Sequence, residues 1–179
     1  MIFQETNLPG VFEIHLKPFR DVRGFFARSF CAREFEAFGL DSTVAQCNTS
    51  FNERAATLRG LHFQVPPHEE AKLIRCTRGA IFDVAVDIRP VSRTYLHWHS
   101  VELTPDNRKM LFIPRGFAHG FQTLADNSEV SYVMSEFYHA ESGRGLRWDD
   151  PLLAITWPLA NPIISDKDRK HPLLNRAPR

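Results

Sequence analysis

The chain has 179 residues, 43% apolar and 24% charged, an ordinary globular composition with room for one domain spanning 1–179 and a sizeable core. A net charge of +1 with scattered basic residues gives no reason to invoke nucleic acid or an anionic membrane, and no apolar run approaches transmembrane length. Three cysteines, Cys31, Cys47 and Cys76, with no CxxC pair argue against a disulfide framework and a zinc ribbon. Together with an N-terminus that lacks a basic-then-apolar leader, they point to a reducing, cytoplasmic compartment.

Asn7-Leu8-Pro9-Gly10 is a turn signal, and Val11 to Lys17 alternates as a first strand. Pro18 to Gly24 (PFRDVRG) reads as a charged loop and Phe25 to Phe30 as a short aromatic strand. Ala32 to Phe38 reads as a short helix, with Phe35 and Phe38 on one face and Gly39 as its stop. Val44 to Ser50 is the next strand, followed by a turn at Asn52-Glu53-Arg54. Lys72–Thr77 and Ile81–Ile88 read as a hairpin about Arg78-Gly79. The second of these is apolar on both faces apart from Asp83 and Asp87, as a central strand would be. Trp98–Leu103, Lys109–Ile113, Phe121–Leu124 and Glu129–Met134 continue the series. Fifteen Phe and many short strands indicate an all-β sandwich or barrel. The Pro-rich tail from Asp149 carries Trp157 and Ile163-Ile164, which suits a segment wrapped on the body rather than a disordered one.

The densest chemistry lies in Leu58 to Lys72, LRGLHFQVPPHEEAK. In a strand, His62 and Gln64 face the same side. Gly60 lets another backbone or a ligand come close. Arg59 and Lys72 flank them as cations, so the stretch reads as a strand carrying a base and an amide into a pocket. The plainer reading is a half-buried, hydrogen-bonded His among surface charges, with Arg59 paired to Glu69 or Glu70. In the same way Tyr132 reads as an ordinary strand tyrosine, and Lys167 and Asp168 as tail charges.

Ile113 to Phe121 (IPRGFAHGF) matches the PxGxxH signature of the second cupin motif through Pro114, Gly116 and His119. In metal-binding cupins this His is a ligand, and an HxH and a Glu supply the rest. Here His62-Phe63-Gln64 lacks the second His, and Lys72 is close by, so no metal is expected. His97-Trp98-His99 comes too late in the chain and reads as strand and surface.

With these motifs the chain resembles the dTDP-4-dehydrorhamnose 3,5-epimerases, metal-independent cupins of deoxysugar biosynthesis. The matching segments are FRDVRGFF from Phe19, Gln46-Cys47-Asn48, LRGLHFQ from Leu58, Lys72-Leu73, FDVAVDIR from Phe82, the PxGxxH stretch, Tyr132, Trp148 to Pro151, Trp157-Pro158 and SDKD from Ser165. They run in the family's order from about Leu8 to Leu173. The resemblance implies a double-stranded jelly roll with one or two short helices, a homodimer, and a nucleotide-sugar substrate with no cofactor. It implies inversion at C3 and C5 of dTDP-4-dehydro-6-deoxy-D-glucose, giving dTDP-4-dehydro-L-rhamnose. A related 3- or 5-epimerase and a non-catalytic sugar-nucleotide-binding cupin are the alternatives.

The resemblance also implies roles. His62 is the general base, Asp168 its carboxylate partner, Tyr132 the acid on the opposite face of the sugar, and Lys72 the cation for the enolate oxygen. Arg23, Gln46, Cys47, Asn48, Arg59, His119 and Lys167 fall at substrate-binding positions, and the N-terminal segment completes the neighbour's site. Arg28 and Gly143 also fall at substrate-binding positions, where members usually carry Glu; Glu141 is the nearby candidate to replace the second. The residue types suit the reaction. Inversion needs a base on one face and an acid on the other, a carboxylate to orient the imidazole, a cation at the developing oxyanion, and guanidinium forks for a diphosphate.

Overall fold

The computed structural model describes residues 1–174. Its strands are β1 (Ile2–Glu5), β2 (Phe12–His15), β3 (Phe19–Asp21), β4 (Gly24–Phe26), β5 (Gln46–Asn52), β6 (Leu58–Gln64), β7 (Lys72–Arg78), β8 (Ile81–Asp87), β9 (Trp98–Leu103), β10 (Lys109–Ile113), β11 (Phe117–Thr123), β12 (Ser128–Met134) and β13 (Gly143–Gly145). Helices α1 (Ala32–Ala37) and α2 (Asp166–Arg169) are short. A six-stranded sheet in the order β1-β2-β10-β7-β12-β5 faces a five-stranded sheet in the order β13-β6-β11-β8-β9, and β3 and β4 form a separate hairpin. All named strand pairs are antiparallel, as in the cupin jelly roll.

Three apolar clusters account for the layering. Between the sheets, Ile74, Cys76, Leu111, Ile113 and Val130 of the large sheet meet Ile81, Ala85, Leu103, Phe117 and Phe121 of the small one. On the outer face of the large sheet, α1 lays Phe35 against Ile14, Leu73, Met110 and Phe112. Gly39, at φ +70°, follows the helix as its stop. On the outer face of the small sheet, Leu61, Val84, Val86 and Ala118 are covered by Leu146, Leu153, Ile155 and Trp157. The tail therefore wraps the body. β8 is apolar on both faces because the sandwich buries one and the tail the other.

Several sequence expectations change. β7 and β8 are not a hairpin: they lie in different sheets, and Gly79 (φ +75°) turns the chain from one to the other. Alternation within each strand says nothing about which sheet it joins. PFRDVRG is not a plain loop, because Phe19–Asp21 pairs with Gly24–Phe26 as a hairpin, and the aromatic strand ends at Phe26. Asn52 ends β5 rather than starting a turn. β1, β13 and α2 are too short to leave a period in the sequence.

Candidate active site

His62 sits on β6, opposite His119 of β11 and Gly145 of β13. Gly60, two residues earlier, has φ +125°, and a Cβ there would lie 2.5 Å from Gly120 Cα, so only glycine permits this approach of β6 to β11. The tail is pinned beside the start of β6: Leu58 N donates to Ile163 O, and Ile163 N to Ala56 O, each at 2.9 Å. Ser165 then caps α2, accepting from Asp168 N at 3.1 Å. This delivers a nearly buried Asp168 under His62. His62 Nε2 donates to Asp168 Oδ1 at 2.7 Å, and Gly60 N donates to Oδ2 at 3.2 Å. Burial alone would raise the Asp168 carboxyl, but His62 and the Gly60 amide outweigh it and hold the carboxyl below its ordinary value. With Nε2 engaged, Nδ1 is the His62 nitrogen left to accept a proton.

The large sheet supplies the facing groups. Lys72 opens β7 and is buried, with Nζ donating to Glu70 Oε1. Burial pushes its ammonium below the usual lysine value, and the Glu70 charge opposes that shift. Tyr132, on β12, packs against the core between the sheets. Burial, reinforced by the Asp83 carboxylate, pushes its phenol well above the ordinary value, so at neutral pH it carries its proton. Buried His119 donates from Nε2 to the fully buried Asp83 Oδ1 at 2.8 Å and stands edge-on to Tyr132, ring centroids 6.1 Å apart.

Two cavities share the His62 and Lys72 walls. One, of about 440 Å³, also meets Gln46, Asn48, Gly143 and Lys167; the other, of about 280 Å³, meets Asn48, Arg59, His119 and Tyr132. The cleft thus gathers His62, Lys72, Tyr132, Gln46, Asn48, Arg59, His119, Gly143 and Lys167, with Asp168 behind His62. Arg59 pairs with neither Glu69 nor Glu70; its Nε donates to Asn52 Oδ1 at 2.7 Å.

Three sequence candidates stand elsewhere in the chain. Arg23 is at the tip of the β3–β4 hairpin, with 86% of its side chain exposed and paired to Asp21. Arg28 pairs with Glu34 at 2.6 Å and lines a separate hollow with Phe19 and Phe26. Cys47 is exposed and alternates in β5 away from Gln46 and Asn48. Glu141 does not take the place of a Glu at 143: its side chain is 72% exposed and accepts from His139.

Sequence reading also missed cleft residues. Glu70 is two residues before Lys72 and so on the same side of an extended chain, a signal that was available. Gln64 lines the cleft beside His62, as expected of one strand face, but its amide is engaged by the backbone of His68, Phe137 and His139 and so ties two loops together at the rim. His171 lines the cleft with Nε2 3.6 Å from Asp168 Oδ1, in a space that a Cβ at Gly145 would fill. Nothing in the sequence marks it, because only the fold of the tail brings it there.

Residues 5–176 match the family model of dTDP-4-dehydrorhamnose 3,5-epimerase. A protein of that name from Sinorhizobium fredii is 44% identical over 179 residues, covering 99% of this chain and 92% of the relative. The dTDP-4-dehydrorhamnose 3,5-epimerase of Bacillus anthracis, with TDP and PPi bound, superposes with a TM-score of 0.93 at 43% identity, covering 97% of this chain and 99% of that one. The dTDP-6-deoxy-D-glucose-3,5-epimerase of Legionella pneumophila, in complex with dTDP-4-keto-L-rhamnose, gives 0.90 at 37% identity, with coverage of 96% and 92%. On this combination of fold, cleft and similarity, the chain belongs to the dTDP-4-dehydrorhamnose 3,5-epimerase family.

Proposed function

We propose that the chain epimerises dTDP-4-dehydro-6-deoxy-D-glucose at C3 and C5, giving dTDP-4-dehydro-L-rhamnose, with His62 as base and Tyr132 as acid. One observation carries this reading: a histidine oriented by a carboxylate on the small sheet and a protonated tyrosine on the large sheet line one cleft, with a buried lysine on its wall. His62 Nδ1 takes the proton from the carbon next to the C4 ketone. Asp168 balances the imidazolium that forms. Lys72 Nζ neutralises the enolate oxygen, a contribution of about 10²–10³ in rate for one such donor. Tyr132 returns a proton from the other face, so the centre inverts. Arg59 and Lys167 hold the diphosphate, and Gln46, Asn48 and His119 the rest of the nucleotide sugar.

Incubation with dTDP-4-dehydro-6-deoxy-D-glucose in D₂O, followed by NMR, tests this. Deuterium is expected at C3 and C5 with inverted configuration. Deuterium at one carbon alone would make the chain a single-centre epimerase, and no exchange at either would refute the function.

The working unit is a homodimer in the cytoplasm. The β3–β4 hairpin exposes Phe19 (69%), Phe26 (76%) and Val22 (105%) and holds Arg23 away from its own cleft, as suits a segment that closes a neighbour's site. Three free cysteines suit a reducing compartment. No helix among the described residues is long and apolar enough to cross a membrane. Sedimentation at micromolar protein should give twice the chain mass of 20.6 kDa; a monomer would overturn the dimer.

A further inference from the structure

We propose that His62, Asp168 and His171 form a binding site for a divalent transition metal of the zinc type, and that a metal held there switches the enzyme off. The site is convergent. His62 Nε2 lies 2.7 Å and His171 Nε2 3.6 Å from the same oxygen, Asp168 Oδ1, and all three ligand atoms lie within 4.8 Å of one another. In a tetrahedral zinc site with bonds of about 2.0–2.1 Å, neighbouring ligand atoms are about 3.3 Å apart. The two distances to Oδ1 fall on either side of that value, and the two imidazole nitrogens lie within 4.8 Å of each other. The two rings already stand at 75° to each other rather than stacked, so their nitrogens can point at one centre.

His171 has no other visible task. Its Nε2 is buried and has no hydrogen-bond partner among the described residues. Asp168 is oriented from behind by the Gly60 amide, the outer-shell support that a ligating carboxylate needs. The cleft in front of His62 and His171 leaves room for a water in the fourth position.

Lys167 lines the same cleft and Lys72 lies beyond, its charge matched by Glu70. Their field disfavours Mg²⁺ and Ca²⁺, which bind by charge to oxygen. It is overcome only by ions that bond strongly to imidazole, such as Zn²⁺, Ni²⁺ or Co²⁺.

The consequence follows from which nitrogen the metal takes. Bonding at His62 Nε2 moves the remaining ring proton to Nδ1, the nitrogen proposed to abstract the substrate proton. The base then has no lone pair to offer. The metal is thus an inhibitor and not a cofactor. Binding rests on the geometry alone; inhibition rests also on the proposed role of His62.

The test is titration of chelator-stripped full-length chain with CoCl₂, read by ligand-field absorption, and with ZnCl₂ by equilibrium dialysis, for wild type, His171→Ala, His171→Gln and His68→Ala. Melting curves check folding, and His171→Gln keeps most of the side-chain volume beside Gly145. One metal per wild-type chain is expected, with affinity at least about tenfold weaker in both His171 variants. Zinc should stop exchange by wild type, EDTA should restore it, and the His171 variants should need proportionately more zinc. Sub-stoichiometric binding overturns the site, as does His171→Gln binding within threefold of wild type. Loss in His68→Ala instead would overturn it in favour of the rim group His68, Glu136 and His139. Stoichiometric binding that His171→Gln abolishes, with exchange unaffected by zinc, upholds the site and refutes His62 as the base.

Discussion

Asp168→Asn changes one atom and should separate orientation from binding. The native carboxylate accepts twice, from His62 Nε2 at 2.7 Å and from Gly60 N at 3.2 Å, with the residue 4% exposed. An amide has one acceptor and one donor end. If its oxygen faces His62, its NH₂ meets the Gly60 N–H, and a buried donor pair costs about 1–3 kcal/mol. If it turns the other way, its NH₂ forces His62 Nε2 to accept, the ring proton moves to Nδ1, and the base is lost. In neither orientation does it balance the imidazolium. Loss of the carboxylate from a base-orienting pair costs up to about 10⁴ in turnover, so a fall of about 10²–10⁴ in kcat is expected, with KM within about threefold. Deuterium wash-in at C3 and C5 under saturating substrate measures it. A fall of less than about tenfold, or a change confined to KM, would place Asp168 in binding and refute the orienting role.

Tyr132→Phe should keep partial deuterium exchange but lose inversion, because His62 still removes the proton while its return from the opposite face fails; inverted product at the wild-type rate would remove Tyr132 from the reaction. Gly60→Ala should cost both stability and activity, since its Cβ would sit 2.5 Å from Gly120 Cα on a residue at φ +125°, and the Gly60 amide also holds Asp168; a melting temperature within about 2 °C of wild type would contradict the packing. Asp87→Asn should destabilise the fold by about 2–4 kcal/mol, as buried charged networks do when broken. Burial would raise the Asp87 carboxyl, but hydrogen bonds from Arg89, Ser92 and Thr94 hold it well below its ordinary value. Its contribution is then present above the unfolded value of about 3.9 and is lost as pH falls towards the lower folded value, so urea melts of the variant should change less than wild type below about pH 4. Equal acid sensitivity would refute that.

Much of the cleft was legible because strand alternation and short spacings survive in a single sequence. His62 and Lys72 stood out as a base and a cation near a glycine, and Gly60 does allow β6 and β11 to touch through Gly120. The central place of β8 was legible from IFDVAVDI. What could not be read depends on which strands meet. The β7–β8 turn looks like a hairpin from its residues, and only the competition of β10 and β12 for the edges of β7 sends β8 to the other sheet. Tyr132, Asp168 and Lys167 carried no signal of their own; a resemblance supplied them. His171 was invisible because its meaning lies in its distance to a carboxylate three residues earlier on a four-residue helix.

The split of the chain between two sheets bears directly on the chemistry. Inversion needs a donor and an acceptor on opposite faces of one ring, yet both must be rigid to be well aimed. Here the His62 strand belongs to the small sheet and the Lys72 and Tyr132 strands to the large one, so the core that joins the sheets also fixes the spacing between the proposed base and acid. Neither strand could supply both faces, because side chains reaching one side of a single strand enter a cleft from one wall only. The carboxylate that pairs with His62 comes from neither sheet. It arrives on the tail, from outside, where the Gly60 amide and His62 hold it. Of the two positions where the resemblance implies a Glu, Arg28 lies outside the cleft of its own chain, whereas Gly143 is on its wall, where a Cβ would meet the Tyr138 ring at an ordinary 3.5 Å. A side chain is therefore sterically admissible at 143. Position 143 lies on the cleft wall away from the His62–Asp168 pair, so a Gly143→Glu variant should shift KM for the nucleotide sugar more than kcat; a fall confined to kcat would contradict this.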